Sequence, residues 1–174
     1  FVGSGLCIGS AITPMRSFRR YRMAFYLACV FGLILCFVPG IGKSVNGATR
    51  WLGFGAANVQ PSQFAKIAML IVLADYLHRW RGYIEDPRVI LKSLAVPLPL
   101  MLLIIPQPDF GTTAIMGGLA AMMLFIAGVR LSHISITGIV GLAIGVPVMI
   151  AESYRVRRLT SFLNPWADAQ GDGC

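Results

Sequence analysis

Three long uncharged segments constrain the fold of this chain more than any other feature of its sequence. Residues 23–42, 110–129 and 131–151 contain no Lys, Arg, Asp or Glu. Each is close to the roughly 20 residues that an α-helix needs to cross the hydrocarbon core of a bilayer. Only 13% of the 174 residues are charged, about half the share in a typical soluble domain. The sequence therefore predicts a polytopic membrane protein.

Shorter apolar segments complete an all-α prediction with about six transmembrane helices. One helix is expected over residues 61–78 although it holds Lys66 and Asp75, and another over the proline-containing residues 93–107. The uncharged residues 1–15 are too short for a full crossing. The predicted spans are 1–15, 23–42, 61–78, 93–107, 110–129 and 131–151. Because the sequence begins inside a span and stops in a loop, we expect an internal fragment of a longer protein, organised as a single transmembrane domain.

The net charge of +8 is spread between the spans, which argues against nucleic-acid binding and follows the positive-inside rule. Four arginines lie in 15–22, four Lys or Arg lie in 78–92, and Arg130 separates the last two spans. These segments fall on one side if the spans alternate, and this side is predicted to be cytoplasmic. The opposite side then receives a loop at 43–60, a turn at 106–111 and the segment 152–174.

The four cysteines have no metal-type spacing, and three of them lie in apolar spans, where cysteine behaves as a small hydrophobe. They are Cys7, Cys29, Cys36 and Cys174. The sequence therefore predicts neither a disulfide nor a metal site.

Two basic residues flank the polar segment that leads into the third span. Pro61 suits the first turn of a helix, because its missing N–H would be unpaired there. Lys66 follows on this helix and either extends back to the membrane interface or is a cation held in a polar cavity, since an ionisable residue inside a span suggests function. Arg50 lies beside Trp51 and is either an interfacial anchor or part of the same site.

Two acidic residues have contrasting contexts. Asp109 lies in the turn "PQPDFGTT" and either caps the following helix or pairs with a cation such as Lys66 or Arg50. Asp75 is nine residues from Lys66, on the opposite helix face. With His78 and Arg79 it is interpreted as the solvated cytoplasmic end of its helix.

The last segment, "ESYRVRRLTSFLNPW", carries basic residues followed by apolar residues at helical spacing. This pattern is typical of a helix on a membrane surface, and an anion site is the alternative. The cations expected near the outer face would suit a phosphate or diphosphate; they are Arg50, Lys66, Arg155 and Arg158.

Three motifs resemble those of the SEDS family (shape, elongation, division and sporulation; FtsW, RodA and SpoVE). "VNGATRWLGFG…VQPSQFAK" resembles the family signature after its third span, "PQPDFGTT" resembles its "QPDLGT" turn, and "RRLTSFLNPWADAQGDG" is similar to the start of its large extracytoplasmic loop. Their order and spacing fit, and they are more similar to the division branch. The resemblance implies a fold of roughly ten helices, of which this chain would be a part.

The resemblance also implies an activity and its partners. SEDS proteins polymerise glycan strands of peptidoglycan from lipid II, together with a class B penicillin-binding protein and other division proteins, in the bacterial cytoplasmic membrane at the septum. Arg50, Lys66, Gln60, Pro61 and Asp109 fall on family positions. The first two are expected to bind the lipid diphosphate, and the other three are expected to support the site. No cofactor is indicated, although a divalent cation could bridge a diphosphate.

The family's candidate catalytic carboxylate lies beyond Cys174, so no catalytic residue is assigned within this chain, and the isolated chain is expected to be inactive. Gln63 stands where the family usually has Glu. Two other functions stay open, a lipid II transporter and a non-catalytic scaffold for division proteins. Transport needs a polar pathway to both faces, whereas Arg50, Lys66 and Asp109 are expected together at the outer face, which favours chemistry at that surface.

Overall fold

The computed structural model describes residues 15–39, 42–45, 48–54, 57–107 and 109–150. It forms two units, Phe1–Arg130 and Leu131–Cys174. The described elements of the first unit are α1 (Met15–Leu35), β1 (Gly42–Val45), β2 (Ala48–Phe54), β3 (Ala57–Val59), α2 (Pro61–Arg79), a 3-10 turn (Arg81–Tyr83), α3 (Pro87–Leu94), α4 (Pro97–Ile104) and α5 (Phe110–Ile126). The second unit contributes α6 (Leu131–Ile150).

The core of the first unit lies where α1, α2, α4 and α5 meet. Ala65 and Ala68 on α2 are fully buried, and their small side chains let neighbouring helices approach closely. Larger apolar side chains from the other three helices fill the remaining space, namely Cys29, Leu33, Leu100, Ile104 and Met116. Helix α2 is therefore the central helix of this unit.

Large apolar side chains also cover outward faces of these helices, as they do in proteins whose surroundings are lipid. Examples are Leu27, Phe31, Leu102, Ile115, Met122 and Phe125. Among the described residues, the stretch Pro87–Ile104 is the one helix both long and apolar enough to cross a membrane, and Phe110–Ile126 and Leu131–Gly145 are apolar but shorter. The number of spans stays a prediction.

The stretch Pro87–Ile104 is interrupted between α3 and α4, because Pro97 and Pro99 lack the N–H groups that would continue the helical hydrogen bonds. The hydroxyl of Tyr26 donates to the backbone carbonyl of Val96 at the interruption, 2.8 Å away. Helix α1 thus supplies a hydrogen bond where the backbone ladder is broken.

The all-α prediction is wrong for residues 43–60, which were expected to be a loop. Strands β1, β2 and β3 form an antiparallel sheet in that order. Trp51 pairs with Lys43 and Thr49 pairs with Ser44, so Arg50 between them is the extra residue of a β-bulge. Short strands with glycine and asparagine carry little hydrophobic alternation, and for this reason the pattern was missed.

Strand β1 begins against the end of α1. The N–H of Gly42 donates to the carbonyl of Val38, 3.2 Å away. A Cβ at position 42 would overlap the carbonyl oxygen of Cys36. Glycine is therefore needed here for the close approach of the two backbones.

Helix α1 runs from Met15 to Leu35, so it begins and ends before the predicted span 23–42, whose position in a membrane stays a prediction. Its first turns contain the arginine-rich segment interpreted as a loop, because arginine is a good helix former and charge alone does not end a helix. Phe37 and Val38 form tighter turns after its last residue, donating to Ile34 and Leu35. The helix over Pro87–Ile104 likewise begins before the predicted 93–107. The ranges 1–14 and 151–174 lie outside the described residues.

Three further helices lie close to their predicted ranges. Helix α2 spans Pro61–Arg79 with Pro61 at its first position, α5 spans Phe110–Ile126, and α6 spans Leu131–Ile150. Helix α5 ends on Gly128, whose φ is 93°, with Gly128 and Val129 donating to Phe125 and Leu124. This is the Schellman arrangement, which requires a residue that tolerates positive φ.

Candidate functional site

Of the site residues expected from the sequence, Gln60, Pro61, Lys66 and Asp109 lie on the first turns of α2 and at the start of α5, near the end of α1. We call this region the polar end, defined by Gln60, Ser62, Lys66, Gln107 and Asp109. Ser62, Gln107 and Asp109 are buried there. Buried polar groups in a hydrophobic protein are usually hydrogen-bonded, and Gln107 and Asp109 both are.

Asp109 is the N-cap of α5 and is 7% exposed. Its carboxylate accepts the backbone N–H of Thr112 at 3.3 Å and the hydroxyl of that residue at 2.8 Å. The hydroxyl of Thr113 donates to the Asp109 carbonyl at 3.0 Å. The capping interpretation is confirmed. This carboxylate offsets unpaired N–H groups at the start of α5 and the positive end of the helix dipole.

Gln60 connects the start of α2 to the start of α5. Its amide nitrogen donates to the Asp109 carboxylate at 3.2 Å, and its amide oxygen accepts from Gln63 at 3.2 Å. Pro61 follows and is buried. The structure therefore brings together Gln60, Pro61 and Asp109, the three residues expected to support the site.

Lys66 is the described cation closest in sequence to this connection. It is partly exposed, and no hydrogen bond or ion pair joins it to another residue in the described part of the chain. It lies one helical turn after Ser62, on the same face of α2. Ser62 is 1% exposed, and its hydroxyl has no partner among the described residues. Within the described part of the chain, the ammonium of Lys66 therefore has no carboxylate counter-ion.

The other predicted diphosphate-binding residues are less defined. Arg50 occupies the bulge of β2 through its backbone, and its side chain is outside the described residues. Arg155 and Arg158 lie in 151–174, also outside them. Their roles stay predictions.

Gln107 belongs to the polar end but was given no role by sequence reasoning. It is 1% exposed, and its amide donates to the carbonyl of Leu33 at 3.1 Å. That carbonyl lies in the last turn of α1, where the helix no longer supplies its own donor. The sequence signal for this role was the position of Gln107 between Pro106 and Pro108. Prolines have no backbone N–H, so a side chain must supply the hydrogen-bond donor there.

Asp75 was expected at a solvated helix end, and the structure shows that this interpretation is wrong. Its side chain is 6% exposed and forms ion pairs with Arg19 at 3.1 Å, Arg22 at 2.9 Å and Arg79 at 2.9 Å. The first two arginines come from α1, which runs antiparallel to α2 and brings its first turns to the end of α2. We call these four residues the Asp75 cluster. The sequence signal was the Asp75–Arg79 spacing of four residues, but the α1 partners are more than 50 positions away.

Arg130 reaches Glu85 at 2.9 Å. Together with the Asp75 cluster, this pair brings the three basic segments, 15–22, 78–92 and Arg130, to the same end of the first unit, as expected. That this end is cytoplasmic stays a prediction.

The whole chain, residues 1–174, matches the family of FtsW, RodA and SpoVE, described as cell cycle proteins. The chain belongs to this family. Across 99% of its length it is 38% identical to a probable peptidoglycan glycosyltransferase FtsW of Pseudomonas fluorescens (strain SBW25), and across 90% it is 36% identical to the stage V sporulation protein E of Bacillus subtilis (strain 168). It spans 42% and 43% of these relatives, less than half their length.

Solved structures agree with membership of the FtsW, RodA and SpoVE family. One similar chain, 26% identical with a TM-score of 0.70 over 98% of this chain and 51% of that one, comes from a structure titled for polymerization and crosslinking by a peptidoglycan synthase complex. The rod shape determining protein RodA of Thermus thermophilus is 27% identical with a TM-score of 0.60, over 74% of this chain and 42% of RodA. The chain is thus a mostly helical member of a family of membrane proteins involved in cell division.

The described ranges of this family member contain no group of three or more His, Cys, Asp or Glu side chains suited to a metal ion. Among the described residues, the polar end offers hydrogen-bond donors and the ammonium of Lys66. Such groups bind and orient an anionic ligand.

Proposed function

We propose that the full-length protein is a peptidoglycan glycosyltransferase that polymerises lipid II during septal wall synthesis. The observation that carries this proposal is 38% identity, across 99% of the chain, with a relative named as a probable peptidoglycan glycosyltransferase. The cytoplasmic membrane at the division septum is the corresponding location.

In this reaction a sugar hydroxyl of the acceptor attacks the anomeric carbon of the donor. The bond between this carbon and the diphosphate oxygen breaks, and undecaprenyl diphosphate leaves with the electron pair. A general base takes the proton of the attacking hydroxyl. We assign no base among residues 1–174. The role proposed for this chain is to hold the leaving group.

Lys66 is the residue of the polar end best suited to that role. Negative charge grows on the diphosphate as the bond breaks, and a cation placed beforehand stabilises it. Lys66 is partly exposed and keeps its ammonium free of protein carboxylates in the described part of the chain, while Gln60 and Asp109 tie together the two helix starts beside it. Arg50, one strand away in sequence, is proposed to contribute a second cation.

A class B penicillin-binding protein is the proposed partner. The similar chain of known structure comes from a peptidoglycan synthase complex described as coordinating polymerization and crosslinking. A transpeptidase beside the polymerase would cross-link each strand as it forms, which fits that coupling.

The test is a polymerisation assay with the full-length protein, its penicillin-binding partner and labelled lipid II in detergent. Lys66→Ala is compared with Lys92→Ala, which removes an exposed lysine from α3 at the other end of the unit. We expect glycan strands from the parent and from Lys92→Ala, and a loss of about 100-fold or more for Lys66→Ala, because removing one pre-organised electrostatic contact costs that much in similar sites. Arg50→Ala is matched in the same way by Arg88→Ala.

Strands that persist at the parental rate in Lys66→Ala and Arg50→Ala would reduce both residues to interfacial anchors. A parent that forms no strands but moves lipid II across liposome membranes would replace polymerisation with transport.

A further inference from the structure

The Asp75 cluster carries more positive charge than its carboxylate neutralises. Three arginines share one carboxylate, so two positive charges remain. In each pair the closest nitrogen is Nε, which leaves the two terminal nitrogens of each guanidinium for other partners. Arg22 uses one of them to donate to the carbonyl of Arg19. The side chains of Arg19 and Arg79 are 57% and 52% exposed, so their remaining donors are accessible.

The carboxylate gives these arginines a fixed arrangement. Asp75 is 6% exposed, accepts a hydrogen bond from Nε of Arg19 and forms ion pairs with all three arginines, so it orders side chains that would otherwise sample many rotamers. A guanidinium held through Nε still presents its terminal N–H groups in a fixed plane, the geometry that binds phosphate oxygens in pairs. Ordering before binding lowers the entropy lost when a ligand arrives.

Exposed aromatic side chains lie close in sequence to the cluster residues, at the same end of the unit. Tyr21, Trp80 and Tyr83 are 60%, 42% and 67% exposed. Trp80 contacts the ring of Tyr83 with centroids 6.1 Å apart, and Arg20 lies 5.7 Å from the centre of the Tyr21 ring. Exposed Trp and Tyr in membrane proteins mark the level of the lipid headgroups, so the free donors of the cluster lie where lipid phosphates are found.

We propose that the Asp75 cluster binds the phosphate of an anionic phospholipid, with preference for a headgroup that carries two negative charges. Such a phosphate matches the two uncompensated charges, and the terminal N–H groups of Arg19 and Arg79 bind its oxygens while their Nε groups stay on Asp75. The cluster is separate from the proposed diphosphate site, because Asp75 lies nine residues along α2 from Lys66, about 14 Å at 1.5 Å per residue.

The test measures binding of fluorescent phosphatidic acid to the full-length protein in a neutral detergent, with phosphatidylcholine as the uncharged comparison. The test variant is the double substitution Arg19→Lys and Arg79→Lys, which keeps every charge but replaces two forked donors with point charges. Its matched control is Arg81→Lys with Arg88→Lys, two exposed arginines of the same end of the unit that form no ion pair with another described residue. Melting temperatures show that each variant is folded.

We expect the parent to prefer phosphatidic acid, the test variant to bind it about fivefold more weakly, and the control to bind like the parent. If the double variant is unfolded, Arg79→Lys alone serves, because it keeps the i, i+4 pair with Asp75. Equal weakening in test and control variants would overturn the proposal in favour of general attraction to a basic surface. Displacement of the lipid by equimolar inorganic phosphate would also overturn it, since the ligand would then be a free anion.

Discussion

A buried carboxylate lies near each end of helix α2, Asp75 on the helix itself and Asp109 at the start of α5, and the two have different partners. Near the C-terminal end, Asp75 is surrounded by three arginines. At the polar end, Asp109 accepts from the amide of Gln60 and from the hydroxyl and backbone N–H of Thr112. Lys66, on the first turns of the same helix, takes part in neither arrangement. One end thus uses cations to join two helices, whereas the other has a cation, Lys66, that pairs with no carboxylate among the described residues and that we propose binds a ligand.

The largest expected effect on stability is that of Asp75→Ala. Removing a buried partner leaves its counter-charges uncompensated, which costs about 3–5 kcal/mol for fully buried pairs. Two of the three arginines are more than half exposed and regain water, so we expect a loss of about 2 kcal/mol. Denaturant unfolding of the full-length protein measures it.

The control for this loss is Glu85→Ala. The side chains of Glu85 and Arg130 are 66% and 64% exposed. We therefore expect the free energy of unfolding to change by no more than about 0.5 kcal/mol. Equal losses for Asp75→Ala and Glu85→Ala would show that burial does not distinguish the two ion pairs, and the Asp75 cluster would lose its structural role.

Asp109→Ala is expected to have an intermediate effect. It removes the N-cap of α5, worth about 1–2 kcal/mol, and the acceptor of the Gln60 amide. Asp109→Asn keeps an oxygen that can accept the N–H of Thr112, so we expect most of the stability to return. The measurement is the unfolding midpoint of both variants. An Asn variant as unstable as the Ala variant would mean that the negative charge, rather than the cap, is what α5 requires.

Lys66→Ala is expected to change stability least, by less than about 0.5 kcal/mol, because no described residue depends on the ammonium. The same variant is expected to lose polymerisation. Its melting temperature and its glycan products, measured on one preparation, sharpen the contrast between the two ends. A clear drop in the melting temperature of Lys66→Ala would contradict this expectation, since the Lys66 ammonium would then stabilise the fold.

Local chemistry predicted the polar end better than the opposite end. Pro61 at the start of α2 and Asp109 as the cap of α5 could be read from neighbouring residues, because both roles depend on contacts within one turn. The role of Asp75 depends on Arg19 and Arg22, and their meeting requires both the antiparallel packing of α1 on α2 and the helical phase of each. The link from Gln107 to Leu33 has the same origin, since it joins positions 74 residues apart.

Strand register limited the prediction for a different reason. The segment between α1 and α2 is too short and too rich in small residues for its pattern to separate a strand from a loop. The bulge that singles out Arg50 follows from the pairing of Lys43 with Trp51 and of Ser44 with Thr49. No property of Arg50 itself predicts that position.

The close approach of Gly42 to Cys36 joins the sheet to helix α1 without a side chain between them. Because the two backbones are in direct contact, we expect a movement at the end of α1 to move the strands with it. Asn58, exposed on β3, is consequently a place for a spectroscopic reporter, since a probe there would register movement of a helix whose other end is held by the Asp75 cluster.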